Sequence, residues 1–182
     1  MQTFQLGEQT RFRSYGPRQL RCISERFGLA KELHETVRLL SLVLPFRVNE
    51  YVLTELIDWS RVPCDPMFQL VFPQANMLKL DDERELARLA DTGGNSRELA
   101  AAIARIRSDL NPHPSRQQEL NVPSDDGIRL PGMQHKYRET VLYFPAHGQT
   151  CHAYCTYCFR WAQFVGDSEL RFAAPGPERL VT

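Results

Sequence analysis

Cys151, Cys155 and Cys158 are the residues whose type and spacing most directly imply chemistry in this chain. They lie in the segment Cys151-His-Ala-Tyr-Cys155-Thr-Tyr-Cys158-Phe-Arg-Trp161. Thiolates hold iron–sulfur clusters, and a four-iron cubane normally takes four of them. Three thiolates leave one iron without a protein ligand, and an open coordination position is what a catalytic metal centre needs to bind a substrate or cofactor directly. Two other readings stand beside the cluster. One is a zinc knot, with His152 or His147 as fourth ligand; structural zinc, however, usually takes two-thiol hooks from separate parts of a chain. The other is three thiols that bind nothing. The compact spacing favours the cluster. The remaining two of the five cysteines, Cys22 and Cys64, stand alone.

The elements that would carry this loop are mostly helical. Pro17 suits a first helical turn, Leu20, Ile23 and Phe27 follow at helical spacing, and Gly28 is a natural terminator. Leu33, Val37 and Leu40 mark a second helix, stopped by Pro45. Asn49 is placed to cap a third, with Val52, Leu53, Leu56 and Ile57 as its stripe. The stretch 62–79, with Pro63, Pro66 and Pro73, reads as extended and loop-like. Asp82 with Glu85 and Asn95 with Glu98 resemble capping boxes, and Leu99, Ile103, Ile106 and Leu110 form the clearest helical stripe. These stripes read as core packing.

Residues 111–132 are rich in Pro, Ser, Asp and Gly and read as a long connection. The run Thr140-Val-Leu-Tyr-Phe-Pro145 then suits a parallel strand buried on both faces. A ligand loop directly after such a strand sits where β/α barrels place their chemistry. Pro175-Gly-Pro-Glu-Arg reads as the opening of a helix, and the chain stops there. A single strand leaves its backbone groups unpaired, so the expectation is the front part of a larger β/α protein, inactive as an isolated 182-residue chain.

The Cys-x3-Cys-x2-Cys spacing, with Tyr157 just before the last cysteine, resembles the radical S-adenosylmethionine signature. Leu130-Pro-Gly-Met-Gln-His-Lys-Tyr137, the strand and the cysteine loop together resemble the lysine 2,3-aminomutase family. Leu44-Pro-Phe-Arg-Val-Asn49, Leu56-Ile-Asp-Trp59 and Asp65-Pro66 are similar to that family's helical N-terminal region. The resemblance implies a 4Fe-4S cluster held by the three cysteines. It also implies S-adenosylmethionine on the open iron, and a 5′-deoxyadenosyl radical that drives amino-group migration on an amino acid. By the same resemblance Arg160 contacts the substrate carboxylate, a task suited to a planar guanidinium, and Tyr157 lies near the adenine. From residue type alone, Arg160 has a solvated surface charge as its lesser alternative, and Tyr157 reads equally as ordinary packing. The family's pyridoxal phosphate implies a phosphate grip at Lys136 and Tyr137. Here Lys136 stands for an arginine, and Thr140 stands where the second arginine would be, so weak pyridoxal phosphate binding is expected. Cys64 stands where an acidic residue is usual, and Phe159-Arg160-Trp161 replaces a run of arginines.

Composition sets the outer bounds. Hydrophobic residues make up 42% and charged residues 24%, the range of a globular protein. Twenty-two basic and 22 acidic side chains balance, which gives no reason to expect a nucleic-acid or membrane partner. The apolar stretch 39–46 is too short to span a bilayer. Clustered thiols without an apolar signal core place the protein in the cytoplasm. The expected fold class is α/β: a helical region with linker over 1–132, then the first strand and cluster loop of an incomplete radical S-adenosylmethionine barrel over 133–182, the chain by itself being mostly α. The expected partner is a small-molecule amino acid, with self-association into a homo-oligomer left open. The reading from a different class is a non-enzymatic zinc-binding or interaction module.

Overall fold

The computed structural model describes residues 13–91, 96–110, 119–144 and 153–155. Strand β1 (Ser14–Tyr15) leads through a 3-10 turn, Pro17–Gln19, into helix α1 (Leu20–Phe27). The Gly16 amide donates to Gln19 Oε1 at 2.9 Å, and the Gln19 amide returns a bond to the Gly16 carbonyl at 3.0 Å, so the entry is closed reciprocally. Gly28 ends α1 at φ +69°, a left-handed conformation that costs glycine little. Helix α2 (Lys31–Leu40) follows, joined to α1 by a 2.7 Å bond between Ser24 Oγ and His34 Nδ1. Strand β2 (Val48–Asn49) pairs antiparallel with β1, and Asn49 Oδ1 accepts from the Val52 amide at 2.9 Å. The expected Asn49 cap is therefore present, on a π-helical turn, Val52–Leu56.

Helix α3 (Pro66–Val71) lies inside the stretch expected to be extended. Asp65 caps it, accepting from the Phe68 amide at 2.7 Å, and Pro66 takes the first turn. Proline is compatible with a helix at that position, where its missing N–H has no intrahelical partner to lose. Helix α2 likewise ends at Leu40 rather than running to Pro45. Just beyond its end, the carbonyls of Leu42 and Val43 accept from the Arg107 guanidinium, each at 3.1 Å.

Helices α4 (Leu80–Asp91) and α5 (Ser96–Leu110) pack together. Asp82 does not cap α4, because the helix begins before it. Its carboxylate, with that of Glu85, pairs across to Arg105 on α5 at 2.8 and 2.7 Å. Asn95 lies outside the described residues. The apolar faces build two clusters. One gathers Ile23, Val37, Val48, Leu53, Phe68 and Phe72; the other gathers Leu40, Val43, Leu44, Leu78, Leu86 and Ile106. The expected α5 stripe faces the second, with Ile106 buried and Leu99, Ile103 and Leu110 packed beside it.

The described strands form three two-stranded antiparallel sheets. Within the expected connection, β3 (Ser124–Asp125) and β4 (Ile128–Arg129) make a hairpin. Its turn, Asp126-Gly127, has φ values of 45° and 78°, both in the region an Asp-Gly hairpin turn requires. The run expected to be a doubly buried parallel strand is instead β6 (Thr140–Tyr143), paired antiparallel with β5 (Met133–Tyr137). Thr140 and Val141 are exposed, and Phe144 is buried just beyond the strand. The pairing satisfies, along one edge, backbone groups that a lone strand would have left open. The chain is thus a mostly helical mixture of helix and small sheets, and no barrel closes among the described residues. No described helix is long and apolar enough to cross a membrane.

Candidate functional site

The β5–β6 hairpin carries the chain towards the cysteine segment. Its pairing runs Met133 with Tyr143, Gln134 with Leu142, His135 with Val141 and Tyr137 with Thr140. Lys136 falls at the irregularity between His135 and Tyr137. Its ammonium lies 5.9 Å from the Tyr137 ring centroid, within the range of a cation–π contact. His135, Lys136, Tyr137 and Thr140 are all exposed. Lys136 and Tyr137, the residues expected to grip a phosphate, therefore sit beside the turn of the hairpin, exposed. Arg138, in the turn, is also exposed and faces Glu139 at 3.7 Å. Tyr143 carries a buried hydroxyl with no hydrogen-bond partner among the described residues, on the strand that leads to the loop.

Of the expected ligands, Cys155 is described: it is exposed and forms no disulfide. Cys151 and Cys158, together with Tyr157, Arg160, His147 and His152, lie outside the described residues. No three His, Cys, Asp or Glu side chains converge among the described residues. Cys22 is exposed on α1, and Cys64 is exposed just before α3, its amide bonded to the Arg61 carbonyl at 2.7 Å.

The residue missed by sequence reasoning is Tyr154, next to Cys155. Its amide donates to the Leu70 carbonyl near the end of α3 at 2.7 Å. Its phenol donates to the Pro45 carbonyl, and its ring packs against the second apolar cluster. Burial raises the phenol above its ordinary pKa, so it remains a donor. The signal available was an aromatic with a polar tip inside a ligand loop, a side chain that normally needs an apolar seat and a hydrogen-bond partner together.

Elsewhere, a cavity of about 360 Å³ is bounded by Phe27, Leu33, Trp59 and Pro63, and none of the expected site residues lines it. Comparison with known proteins finds no matching family model, no matching curated protein and no matching solved structure.

Proposed function

We propose that this chain is part of a radical S-adenosylmethionine enzyme of the aminomutase type, acting on an amino acid, with Cys151, Cys155 and Cys158 as the protein ligands of a 4Fe-4S cluster. The observation that carries the reading is the Cys-x3-Cys-x2-Cys spacing, supported by the exposed, unbridged thiol of Cys155 on a segment tied at Tyr154. Soft thiolate donors at this spacing suit iron–sulfur chemistry. A bound cluster with one open iron would supply a single electron to a coordinated sulfonium. The chain's own residues hold and orient. The three thiolates fix the metal site, Arg160 grips a substrate carboxylate with its planar fork, and Tyr157 offers a flat face to an adenine. On this reading residues 133–182 open a β/α core, with the β5–β6 hairpin at its entrance and the helical region before it.

Pyridoxal phosphate does not fit the residues present. Lys136 and Tyr137 are solvated at the hairpin end, and Thr140 brings no charge. A phosphate grip depends on fixed, charge-assisted donors, best as arginine pairs.

Anaerobic reconstitution with iron and sulfide tests the reading. The expected product is a brown protein with about four irons per chain. Cys151→Ala, Cys155→Ala and Cys158→Ala should each remove the visible charge-transfer absorption, while Cys22→Ala and Cys64→Ala should leave it unchanged. A colourless protein that retains zinc, or a cluster that depends on Cys64, would overturn the assignment.

A further inference from the structure

The segments of the helical region that resemble the aminomutase family do more than build a core. After α2 the backbone over Leu42–Pro45 is held from two sides. Arg107 of α5 takes the Leu42 and Val43 carbonyls, and the Tyr154 phenol takes the Pro45 carbonyl. Asp65 and Pro66 start α3, and the Leu70 carbonyl near its end accepts the Tyr154 amide at 2.7 Å. Pro45 and Leu70 of α3 thus meet at one residue, although 109 positions separate Pro45 from Tyr154. The ring of Tyr154 completes the seat against the apolar cluster of Leu40, Val43 and Leu44. Cys155, the next residue, is exposed.

We propose that Tyr154 is a positioning residue that docks the cysteine loop onto the helical region and so fixes where Cys155 stands. Ordinary packing would need only the ring. Two main-chain acceptors from different segments, one for the amide and one for the phenol, fix position and rotation as well. A directed hydrogen bond adds what dispersion contacts lack, a preferred angle. Its consequence for chemistry rests on the reading of Cys155 as a cluster ligand: an ångström of misplacement at a reacting centre can cost about a hundredfold in rate. The docking itself does not depend on that reading.

The test uses the 182-residue chain with Cys22, Cys64, Cys151 and Cys158 changed to Ser, and a nitroxide spin label on Cys155. With Tyr154 in place, the electron paramagnetic resonance line shape should be dominated by slow, restricted motion. Tyr154→Ala should convert it to a fast component. Tyr154→Phe, which keeps the ring, should restore part of the slow component and thereby separate the phenol bond from packing. Far-UV circular dichroism on the same samples reports the helices. A line shape unchanged by Tyr154→Ala while the helices melt as before would overturn the docking. If Tyr154→Ala unfolds the chain, the Tyr154→Phe spectrum decides alone, and a spectrum identical to the parent removes the positioning role of the phenol. In a second arm, the all-cysteine protein is reconstituted and titrated with S-adenosylmethionine. Tyr154→Phe should hold the same iron but show an altered cluster spectrum on addition. Failure of the parent to take up iron would refute the proposed function and leave the spin-label result standing.

Discussion

Glu50 sits between two donors of different kinds. The Tyr15 phenol donates to one carboxylate oxygen, and Arg26 reaches the other at 2.5 Å. The phenol bond is the largest influence and lowers the Glu50 pKa from its ordinary 4.5; burial opposes it, and the Arg26 guanidinium adds to the lowering. The same bond raises Tyr15, because it stabilises the protonated phenol. The sign for Glu50 follows from linkage. A carboxyl group with a depressed folded pKa adds stability above its unfolded value, and that stability is lost as pH falls through the folded one. Wild-type stability should therefore decline below about pH 4.5 in part through this residue. Glu50→Gln should lose about 1 kcal/mol at pH 7, the upper end for a solvated pair, and should show a shallower slope in acid, so that the two curves converge. Urea titrations at a series of pH values measure this, and parallel curves would exclude it. At this same scale the close trio of thiols was legible in the sequence from spacing alone. Tyr154 was not, because its partners are the carbonyls of Pro45 and Leu70, and a carbonyl leaves no mark in the residue type.

Elements were readable where periodicity and terminators agreed. Helix α1 runs to Gly28, and α5 turns Ile106 inward. They were misread where one signal hid another. Pro63, Pro66 and Pro73 gave residues 62–79 an extended texture, yet Asp65-Pro66 is also a cap followed by a first-turn proline. The run Val141–Phe144 is apolar enough for a doubly buried strand, but its partner β5 carries Gln134, His135 and Lys136 and so showed no strand pattern of its own. Asp126-Gly127 was a hairpin signal lost within a polar stretch. The Asp65 cap gives the prediction at this scale. Its buried carboxylate accepts from Phe68 at 2.7 Å and also from the Asp58 amide at 3.3 Å, so one side chain fixes both the start of α3 and the turn before it. Asp65→Ala should cost about 2 kcal/mol, combining a lost cap with donors left unpaired. Asp65→Asn, which keeps an acceptor, should cost less than half of that. Chemical denaturation midpoints compare the two, and equal losses would show that the charge rather than the acceptor matters.

For the whole molecule the question is whether the two apolar clusters unfold together. Helix α2 contributes Val37 to one and Leu40 to the other, and the following segment divides likewise, with Val43 and Leu44 in the second cluster and Phe46 and Val48 in the first. Tyr154 adds a further tie, since its ring packs on the second cluster while its amide bonds to α3, whose Phe68 and Val71 belong to the first. A boundary crossed by shared helices favours a single cooperative transition. Trp59 reports on the first cluster, where it stacks on Phe27 at 4.3 Å between ring centroids and meets Phe68 edge-on at 6.1 Å. Ile106 is fully buried in the second cluster and is not part of the first. In a Trp161→Phe background, Ile106→Ala should remove about 2–4 kcal/mol through lost apolar transfer and the cavity left behind. A single cooperative transition predicts that the midpoint read from Trp59 fluorescence falls by as much as that read from far-UV circular dichroism. A Trp59 transition that stays in place while part of the helical signal melts earlier would mean that the second cluster, and with it the seat of the cysteine loop, opens independently.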